Sequence, residues 1–503
     1  MREATCHIRT RHVLSQRSNM VFGHFIEHFH RQIYGGLYDP GSAFADEDGL
    51  RKDVLDAMSR IRVPIIRWPG GCFVSAYHWM DGVGPSRQPS FDKAWRVEEP
   101  NTFGTDEYVR FCHKIGCEPY ICTNAGTGSA EEMSNWLEYC NLRSEGRYAR
   151  MRIQNGFSEP HGVRYWSIGN ENYGTWEIGA KSAEEWSRLV LEAAKMLKRV
   201  DPTIEVSAAA LPDIDWNVRL LERCGKYLDW ISIHKYWDSL AESNDFADYM
   251  QTMAYTADLS TDLDKVRGLL TAFGLDKRIK IAYDEWNLRG WHHPNVLGDR
   301  QGRTADEYIL PRDLNDRNQD YTMADAVFTA CFLNELHRHS NIVGMANFSP
   351  ILNTRGCIYT HSDGIVLRST YHVFDLYVNY LGEEVLDGWL ENMPAITAIG
   401  KDRRIVQVDG LDMVCTRRAS DGKLAVAIVN KHPDMAWRVE LKLEDSPCNM
   451  RWRQITVNGD STESYNDVGV DGVCLREGEW KPTVDGKLNA ELDPHSVNVI
   501  QID

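Results

Sequence analysis

The sequence lacks any apolar run that approaches the ~18 residues of a membrane-spanning helix, and its first twenty residues contain no continuous apolar segment like those of secretory signals. It also lacks basic charge, because 56 Lys and Arg residues stand against 73 Asp and Glu residues and give a formal net charge of −17. Nucleic-acid binding usually depends on clustered Lys and Arg that release counterions from phosphates. We therefore expect no membrane partner and no nucleic-acid partner.

Clustered cysteines are missing as well. The chain has 12 cysteines, but they are scattered singly, no C-x-x-C occurs, and the closest three, Cys112, Cys117 and Cys122, are five residues apart. This spacing suits neither a zinc ribbon nor a dense disulfide scaffold. We therefore predict a cytoplasmic protein with reduced thiols.

Eight short apolar runs recur along the first three quarters of the chain, separated by helical segments. They are residues 21–27, 63–68, 119–124, 165–171, 204–210, 230–234, 279–285 and 342–347. Strands that alternate with helices pair in parallel through right-handed crossovers. Because eight such units fit a (β/α)8 barrel (a TIM barrel), we predict this α/β fold over residues 19–386.

The helical segments between the runs carry their own signals. We place Thr105 as the N-cap of one helix, and Ser182 with Glu185 has the spacing of a capping box in another. Residues 323–337 carry apolar side chains at helical intervals. These segments supply the crossovers that a parallel barrel needs.

After about Asp387 the pattern changes to short alternating segments separated by Asp-Gly turns. It predicts a carboxyl-terminal antiparallel β-sandwich, jelly-roll-like, over residues 387–503. The final run, residues 496–502, is apolar, and residues 1–18 precede the barrel. We expect this amino-terminal segment to pair with the sandwich.

Two carboxylates stand at the ends of predicted barrel strands. Glu171 ends the fourth run and Glu285 ends the seventh, and reacting groups in such barrels come from the carboxyl ends of strands. Strands four and seven are three apart in a ring of eight, so their carboxylates can face each other across the mouth, as glycoside hydrolysis requires. Alternatively, each Glu pairs with a neighbouring Arg, or the barrel binds carbohydrate without catalysis; loss of either Glu would favour the latter, and both are present.

The chain resembles clan A glycoside hydrolases and, within them, glycoside hydrolase family 51, whose members are mainly α-L-arabinofuranosidases. Six motifs carry this resemblance: GHFIEH at 23–28, RWPGGC at 67–72, YHWMDG at 77–82, SIGNE at 167–171, SIHKY at 232–236 and DEW at 284–286. The resemblance implies an exo-acting enzyme that releases terminal arabinofuranosyl residues from arabinose-containing oligosaccharides, and a homohexamer.

The resemblance also implies a retaining double displacement. Glu171 matches the general acid/base, Asn170 the amide that binds the sugar 2-hydroxyl, and Glu285 the nucleophile. For this mechanism we expect the two carboxyl groups to lie roughly 5–5.5 Å apart. We also expect the charge of Glu285 to raise the pKa of Glu171. The scheme needs no metal and no organic cofactor.

Five further residues match family positions around these groups. Glu27 matches a carboxylate that binds ring hydroxyls, Cys72 a residue that lines the sugar pocket, and Tyr236 an aromatic hydroxyl beside the nucleophile. Arg67 and His234 match residues that hold the nucleophile and its neighbours in place.

One departure from the family bears on the choice of sugar. Pro350 aligns where the family commonly has Gln, and proline offers no side-chain hydrogen bond. The contact that this Gln would make to a sugar hydroxyl is either lost or supplied by Asn353 or Arg355. A galactofuranoside, a xyloside and a β-glucan therefore stand as alternative substrates.

His24, Glu27 and His28 also match the H-x-x-E-H pattern of a zinc hydrolase, in which two His on one helical face bind the metal. That pattern needs a helix, whereas residues 21–23 predict a strand. We keep it as the alternative from a different chemistry.

Four tryptophans adjoin the strand-end motifs: Trp68, Trp79, Trp237 and Trp286. They are candidates either for the pocket rim or for the packed core.

Overall fold

The computed structural model describes residues 2–240, 245–290, 316–393, 395–444, 450–483 and 487–503. Its strands are β1 Arg2–Gln16, β2 Gly23–Phe25, β3 Ile65–Trp68, β4 Ser90–Asp92, β5 Val97–Glu99, β6 Glu118–Thr123, β7 Tyr165–Ile168, β8 Glu205–Ala208, β9 Trp230–Asp238, β10 Lys280–Arg289, β11 Val343–Phe348, β12 Ile358–His361, β13 Gly364–Leu367, β14 Glu384–Glu391, β15 Ala395–Ile399, β16 Ile405–Asp409, β17 Leu411–Arg417, β18 Leu424–Asn430, β19 Trp437–Leu443, β20 Arg451–Gly459, β21 Asn466–Asp467, β22 Val470–Asp471, β23 Val473–Glu477, β24 Lys481–Pro482, β25 Leu488–Leu492 and β26 Val497–Ile502.

The α-helices of the same ranges are α1 Lys52–Arg60, α2 Thr105–Ile115, α3 Ala130–Asn141, α4 Gly146–Gln154, α5 Ala183–Val200, α6 Ile214–Cys224, α7 Tyr249–Tyr255, α8 Thr261–Ala272, α9 Met323–Arg338 and α10 Ser369–Tyr380. Short 3-10 helices span Asn19–Phe22, Cys72–Ala76, Trp79–Gly82, Thr256–Asp258 and Asn318–Asp320. Within the described ranges, none of the helices has both the length and the apolarity to cross a bilayer.

Eight parallel strands form the first sheet of the described chain, in the order β8-β7-β6-β3-β2-β11-β10-β9. Its two edges meet through a parallel bridge between Ala209 and Ser232, where the Ala210 amide donates to the Ser232 carbonyl at 2.9 Å. The sheet is therefore closed, and each strand lies in one of the eight predicted apolar runs or overlaps it. The predicted (β/α)8 barrel is confirmed.

The barrel strands are apolar because both of their faces are covered. All four residues of β3 and of β7 are buried, with the barrel interior on one side and the helix ring on the other. The helices are amphipathic; α5 opens with the predicted capping box, in which Ser182 accepts from the Glu185 amide. The placement of Thr105 as an N-cap is wrong, because Gly104 caps α2 and the Thr105 hydroxyl instead accepts from Trp136 Nε1.

A second, ten-stranded sheet gathers most of the strands after residue 384, and it confirms the predicted β-rich carboxyl-terminal architecture. Strand β1 also belongs to it, antiparallel to β14 and parallel to β19. In β1 the buried residues Ala4, Cys6 and Ile8 alternate with more exposed ones, so one face of the strand contributes to the core of this sheet. Strands β18 and β26 are almost wholly buried, because their other face packs against α9 and α10 of the barrel.

The parallel order brings the carboxyl ends of the eight barrel strands to one rim. Along β10 the pairing with β9 shifts register between Ala282 and Glu285, so that Glu285 lies opposite His234. Such an irregularity re-aims side chains. The Asp284-Glu285 pair lies within β10 and not at its end, as the apolar run had predicted, because the strand continues to Arg289.

Candidate active site

A cavity of about 440 Å³ opens at the carboxyl rim of the barrel. Five of the residues predicted for the site line it: Glu27, Cys72, Glu171, Tyr236 and Glu285. Carboxylate oxygens of Glu171 and Glu285 lie within 4.8 Å of each other. This close approach of two oxygens agrees with the roughly 5–5.5 Å expected between the carboxyl groups of retaining glycosidases.

Glu171 stands in a tight turn just beyond β7. Its φ is 43°, a left-handed conformation that few residues other than glycine adopt. Gly169, at φ 70°, permits the turn, because a Cβ there would lie 2.5 Å from Trp186 and 2.2 Å from the amide oxygen of Asn172. The strained backbone turns the Glu171 side chain into the cavity.

Glu285 is held at both carboxylate oxygens. Arg67 Nη1 donates to its Oε2 at 2.8 Å, and the Tyr236 hydroxyl donates to its Oε1 at 2.7 Å. Ser349 lies 2.8 Å from the Tyr236 hydroxyl and donates to it, since the single Tyr236 proton points at Glu285. These bonds fix the orientation of the predicted nucleophile.

Arg67 is fully buried beneath the rim and bridges several of the site groups. In addition to Glu285, it donates from Nη2 to Asn170 Oδ1 at 2.7 Å, and its Nε lies 3.6 Å from Asp284 Oδ2. Asn170 in turn donates to Glu177 Oε2 at 3.4 Å. The amide next to Glu171 is therefore oriented by the same guanidinium that orients Glu285.

His234 lies between three carboxylates. Its Nδ1 is 3.0 Å from Glu171 and 3.6 Å from Glu285, and its Nε2 is 3.3 Å from Asp284. Because both ring nitrogens face acceptors, the imidazolium form satisfies them best. Burial disfavours that charge, but the negative charge of Glu285 and the contacts to Asp284 and Glu171 raise the pKa of His234 to about 10.

The expectation that the pKa of Glu171 is raised is wrong. Burial favours the neutral carboxyl, yet the hydrogen bond and positive charge of His234 outweigh it, so the pKa of Glu171 lies below its ordinary value. The sequence-based expectation weighed the charge of Glu285 and left out the imidazolium in between. The proton shared along the contact between Glu171 and His234 is therefore on His234.

Glu27 is the neutral carboxyl of the site. Burial, followed by the negative charge of Glu285, raises the pKa of Glu27 to about 8. Its Oε1 accepts from the Phe73 amide at 3.0 Å and from Trp95 Nε1 at 2.9 Å. At neutral pH the protonated Glu27 can both donate to and accept from a sugar hydroxyl.

Cys72 lines the cavity next to Glu171, and the buried Glu177 lies beside both, with the Cys72 Sγ and one oxygen of each carboxylate within 4.8 Å of one another. Burial, and then the charges of Glu177 and Glu171, raise the pKa of Cys72 well above its ordinary value. Burial raises the pKa of Glu177 to about 7. The cavity wall thus presents a neutral thiol, and the carboxyl group of Glu177 beside it is close to its pKa at neutral pH.

The tryptophans of the cavity are not those that the motifs suggested. Trp68, Trp79, Trp237 and Trp286 are all buried in the core. The cavity is lined instead by Trp95 and Trp176, which lie on loops after β4 and β7. Trp176 is 61% exposed and donates from Nε1 to Glu171 Oε2 at 2.9 Å. A position next to a strand-end motif therefore did not identify the tryptophans of the cavity, which lie on loops instead.

The structure separates the two residues proposed to replace the contact missing at Pro350. Pro350 and Arg355 line the cavity. Asn353 is instead engaged elsewhere, since its amide donates to the Arg31 carbonyl at 2.6 Å and accepts from the Thr360 amide at 2.8 Å.

The two histidines of the H-x-x-E-H pattern do not share a helical face. His24 lies in β2, buried against Phe348 and Phe374, where burial lowers its pKa to about 3. His28 lies after the strand, with Nδ1 3.1 Å from Glu99 and Nε2 accepting from Trp68. This geometry contradicts a zinc site of the predicted kind.

Beside the cavity, two clusters bring potential ligand atoms within 4.8 Å of one another: Cys72 with Glu171 and Glu177, and Glu171 with His234 and Glu285. In the second cluster a protonated imidazole and the adjacent Arg67 already compensate the carboxylates. A dication there would meet two positive charges, so this donor set favours an ion-paired site over a metal site.

Comparisons with known proteins agree over nearly the whole chain. Residues 57–254 match the model of the α-L-arabinofuranosidase 1 domain, and residues 284–496 match the model of the α-L-arabinofuranosidase C-terminal domain. The chain is 32% identical over 513 aligned residues to a probable α-L-arabinofuranosidase C of Aspergillus clavatus, covering 97% of this chain and 95% of that protein.

Two bacterial proteins extend this similarity. An intracellular exo-α-(1→5)-L-arabinofuranosidase of Acetivibrio thermocellus is 34% identical over 380 residues, covering 72% of this chain and 73% of that protein. The structure of a thermostable α-L-arabinofuranosidase of glycoside hydrolase family 51 from Thermotoga petrophila RKU-1 superposes with a TM-score of 0.88 at 35% identity, covering 100% of both chains.

The raised pKa of His234 predicts a pH-dependent stability. A histidine whose pKa rises from 6.5 in the unfolded chain to about 10 stabilises the fold fully below pH 6.5, and this contribution disappears as the pH rises through 10. We expect His234→Gln to lower the melting temperature by several degrees at about pH 6, and by clearly less at about pH 10.

The matched control is His337→Gln. His337 is also fully buried, but burial lowers its pKa to about 3, so it is neutral in the fold at both pH values. The difference between its melting temperature and that of the wild type should not narrow with rising pH. If the difference in melting temperature from the wild type narrows equally for both variants between pH 6 and pH 10, the imidazolium at His234 is contradicted. The same conclusion follows if that difference does not narrow for His234→Gln.

Proposed function

The chain belongs to the α-L-arabinofuranosidases of glycoside hydrolase family 51, and from this we propose that it is an exo-acting enzyme that releases terminal α-L-arabinofuranosyl residues from arabinose-containing oligosaccharides with retention of configuration. The observation that carries the proposal is the pair of carboxylates at the barrel mouth, with oxygens of Glu171 and Glu285 within 4.8 Å. This short separation supports the retaining mechanism, in which the two carboxyl groups lie closer together than in inverting enzymes.

In the first step, a Glu285 oxygen forms a bond to the anomeric carbon while the bond to the leaving oxygen breaks. Arg67 and Tyr236, which donate to the two Glu285 oxygens, hold the carboxylate in line for attack. Glu171 gives a proton to the leaving oxygen. The proton reaches Glu171 from His234 along their 3.0 Å hydrogen bond, because the imidazolium loses its largest stabilising charge as Glu285 becomes an ester.

In the second step, Glu171 takes a proton from water, and the resulting hydroxide oxygen attacks the anomeric carbon and releases Glu285. The proton taken up restores the starting charge of the Glu171-His234 pair. Glu171 thus needs no strongly raised pKa of its own, because its neighbour stores the proton between turnovers.

The remaining residues hold the sugar. Asn170, oriented by Arg67, binds the 2-hydroxyl, where a contact strengthens as charge develops at the anomeric carbon. Neutral Glu27 binds further ring hydroxyls, and the Cys72 thiol forms the wall beside Glu171. Trp176, which donates from Nε1 to Glu171 Oε2, forms a further part of the wall beside it.

Substitution of the two carboxylates tests the mechanism. Glu171→Ala and Glu285→Ala should each lower kcat on a natural oligosaccharide by at least about 10³-fold. Azide should partly restore Glu171→Ala on an activated aryl arabinofuranoside, because that leaving group needs no acid and azide replaces the activated water. Turnover by Glu285→Ala at the wild-type rate would exclude Glu285 as nucleophile.

The sugar is tested with a panel of 4-nitrophenyl glycosides. We expect the α-L-arabinofuranoside to have the highest kcat/KM, ahead of the β-D-galactofuranoside and the β-D-xyloside. Product configuration, followed by proton NMR early in the reaction, should be the α-anomer. A higher kcat/KM for another sugar would transfer the proposal to that donor and leave the mechanism intact.

We further propose a cytoplasmic homohexamer. The intracellular relative from Acetivibrio thermocellus supports the compartment, and the 11 cysteines of the described ranges, all free thiols, agree with a reducing environment. The family resemblance supports the hexamer. Light scattering on the purified chain, at 57.6 kDa per protomer, should give six times that mass, and the mass of a monomer or dimer would contradict it.

A further inference from the structure

A glutamine that none of the motifs includes lies in the cavity wall. Gln32 is 1% exposed, yet it lines the cavity next to Glu27. Its main chain is fixed, because its amide donates to the Phe29 carbonyl at 3.2 Å and its carbonyl accepts from the Leu37 amide at 3.0 Å. The side chain therefore extends from a rigid turn.

The two ends of the Gln32 side-chain amide have different surroundings. Its Oε1 accepts from the Glu27 backbone amide at 2.8 Å, which fixes which end is oxygen and which is nitrogen. In the described ranges, no hydrogen bond is made by Nε2. This nitrogen is also not among the fully enclosed polar atoms that lack a partner, which agrees with its facing the cavity that Gln32 lines.

Buried amide donors are nearly always satisfied by protein, water or ligand. An amide that is held by its oxygen and directs two N–H groups into a ligand cavity is preorganised for an oxygen acceptor of the ligand. The cavity also presents the carboxyl groups of Glu27, Glu171 and Glu285 and donors such as Tyr236 and Arg355, and Pro350 offers no donor. A polyhydroxylated ligand has acceptors as well as donors to satisfy, and Gln32 supplies N–H groups for the acceptors.

We propose that Gln32 is a specificity-determining residue, whose Nε2 donates a hydrogen bond to one hydroxyl oxygen of the terminal sugar on the side of the ring that Glu27 binds. The proposal rests on the proposed function for the identity of the sugar. Gln32 takes part in binding the glycosyl unit and not in the proton transfers of the reaction. It therefore contributes to kcat/KM through one specific hydroxyl.

The test is a cycle of enzyme and substrate changes. Wild type and Gln32→Met are compared on 4-nitrophenyl α-L-arabinofuranoside and on its 2-deoxy, 3-deoxy and 5-deoxy analogues. In the wild type, removing the partner hydroxyl should lower kcat/KM by about tenfold. In Gln32→Met the same removal should cost less than twofold, while the other two removals cost the same factor in both enzymes.

Ser239→Ala is the matched control, because Ser239 also lines the cavity but is assigned no role in the reaction. It should respond to every deoxy substrate as the wild type does. If Gln32→Met melts far below the wild type, Gln32→Leu replaces it, since it likewise has no amide.

Equal losses in wild type and variant for all three analogues would overturn the proposal and leave Gln32 only as a support for the Glu27 backbone. A merely structural role lowers the activity on every substrate by a similar factor and produces no such selectivity. If the wild type does not hydrolyse the parent arabinofuranoside, the proposed function fails instead, and the same cycle is run on the deoxy analogues of the glycoside that it does cleave.

Discussion

A guanidinium buried beneath the barrel mouth constrains almost every group of the site. Arg67 is fully enclosed, and a charge in that position is tolerated only if acidic and amide oxygens surround it. Glu285, Asp284 and Asn170 supply these oxygens. The same contacts that satisfy Arg67 also orient the proposed nucleophile, Glu285, and the proposed sugar-binding amide, Asn170. In the proposed mechanism, one set of bonds therefore stabilises the buried charge and aligns the reacting groups.

The site works as a charge-balanced group rather than as two independent carboxylates. Three carboxylates, Glu171, Asp284 and Glu285, face two cations, Arg67 and His234. One negative charge remains uncompensated. The charge of Glu285 keeps His234 protonated to high pH, while burial, followed by the same charge, keeps Glu27 neutral at physiological pH. In the proposed mechanism, formation of the glycosyl ester removes a negative charge and so shifts the proton balance toward release from His234. The change in charge on Glu285 would then link nucleophilic attack to acid catalysis.

The fold was predictable wherever periodicity reports burial. The eight barrel runs could be located because strands covered on both faces must be apolar along their whole length, and the capping box at Ser182 could be located because it satisfies local backbone donors. The role of Thr105 could not be predicted in this way, because its hydroxyl accepts a hydrogen bond from Trp136 on another helix. The tryptophans of the cavity could not be predicted either, because Trp95 and Trp176 lie on loops, whose sequences have no periodic pattern.

The sequence by itself determined the barrel, the β-rich carboxyl-terminal sheet and the two strand-end carboxylates, because these depend on local hydrophobic patterns and on short motifs. Only the tertiary structure decided how close those carboxylates lie, that His234 stands between them, and that Gln32 lines the cavity. These features arise where side chains in or after β2, β3, β7, β9 and β10 meet at one rim. Their distances and protonation states depend on burial and on charges that are far apart in the sequence, and no local pattern encodes those.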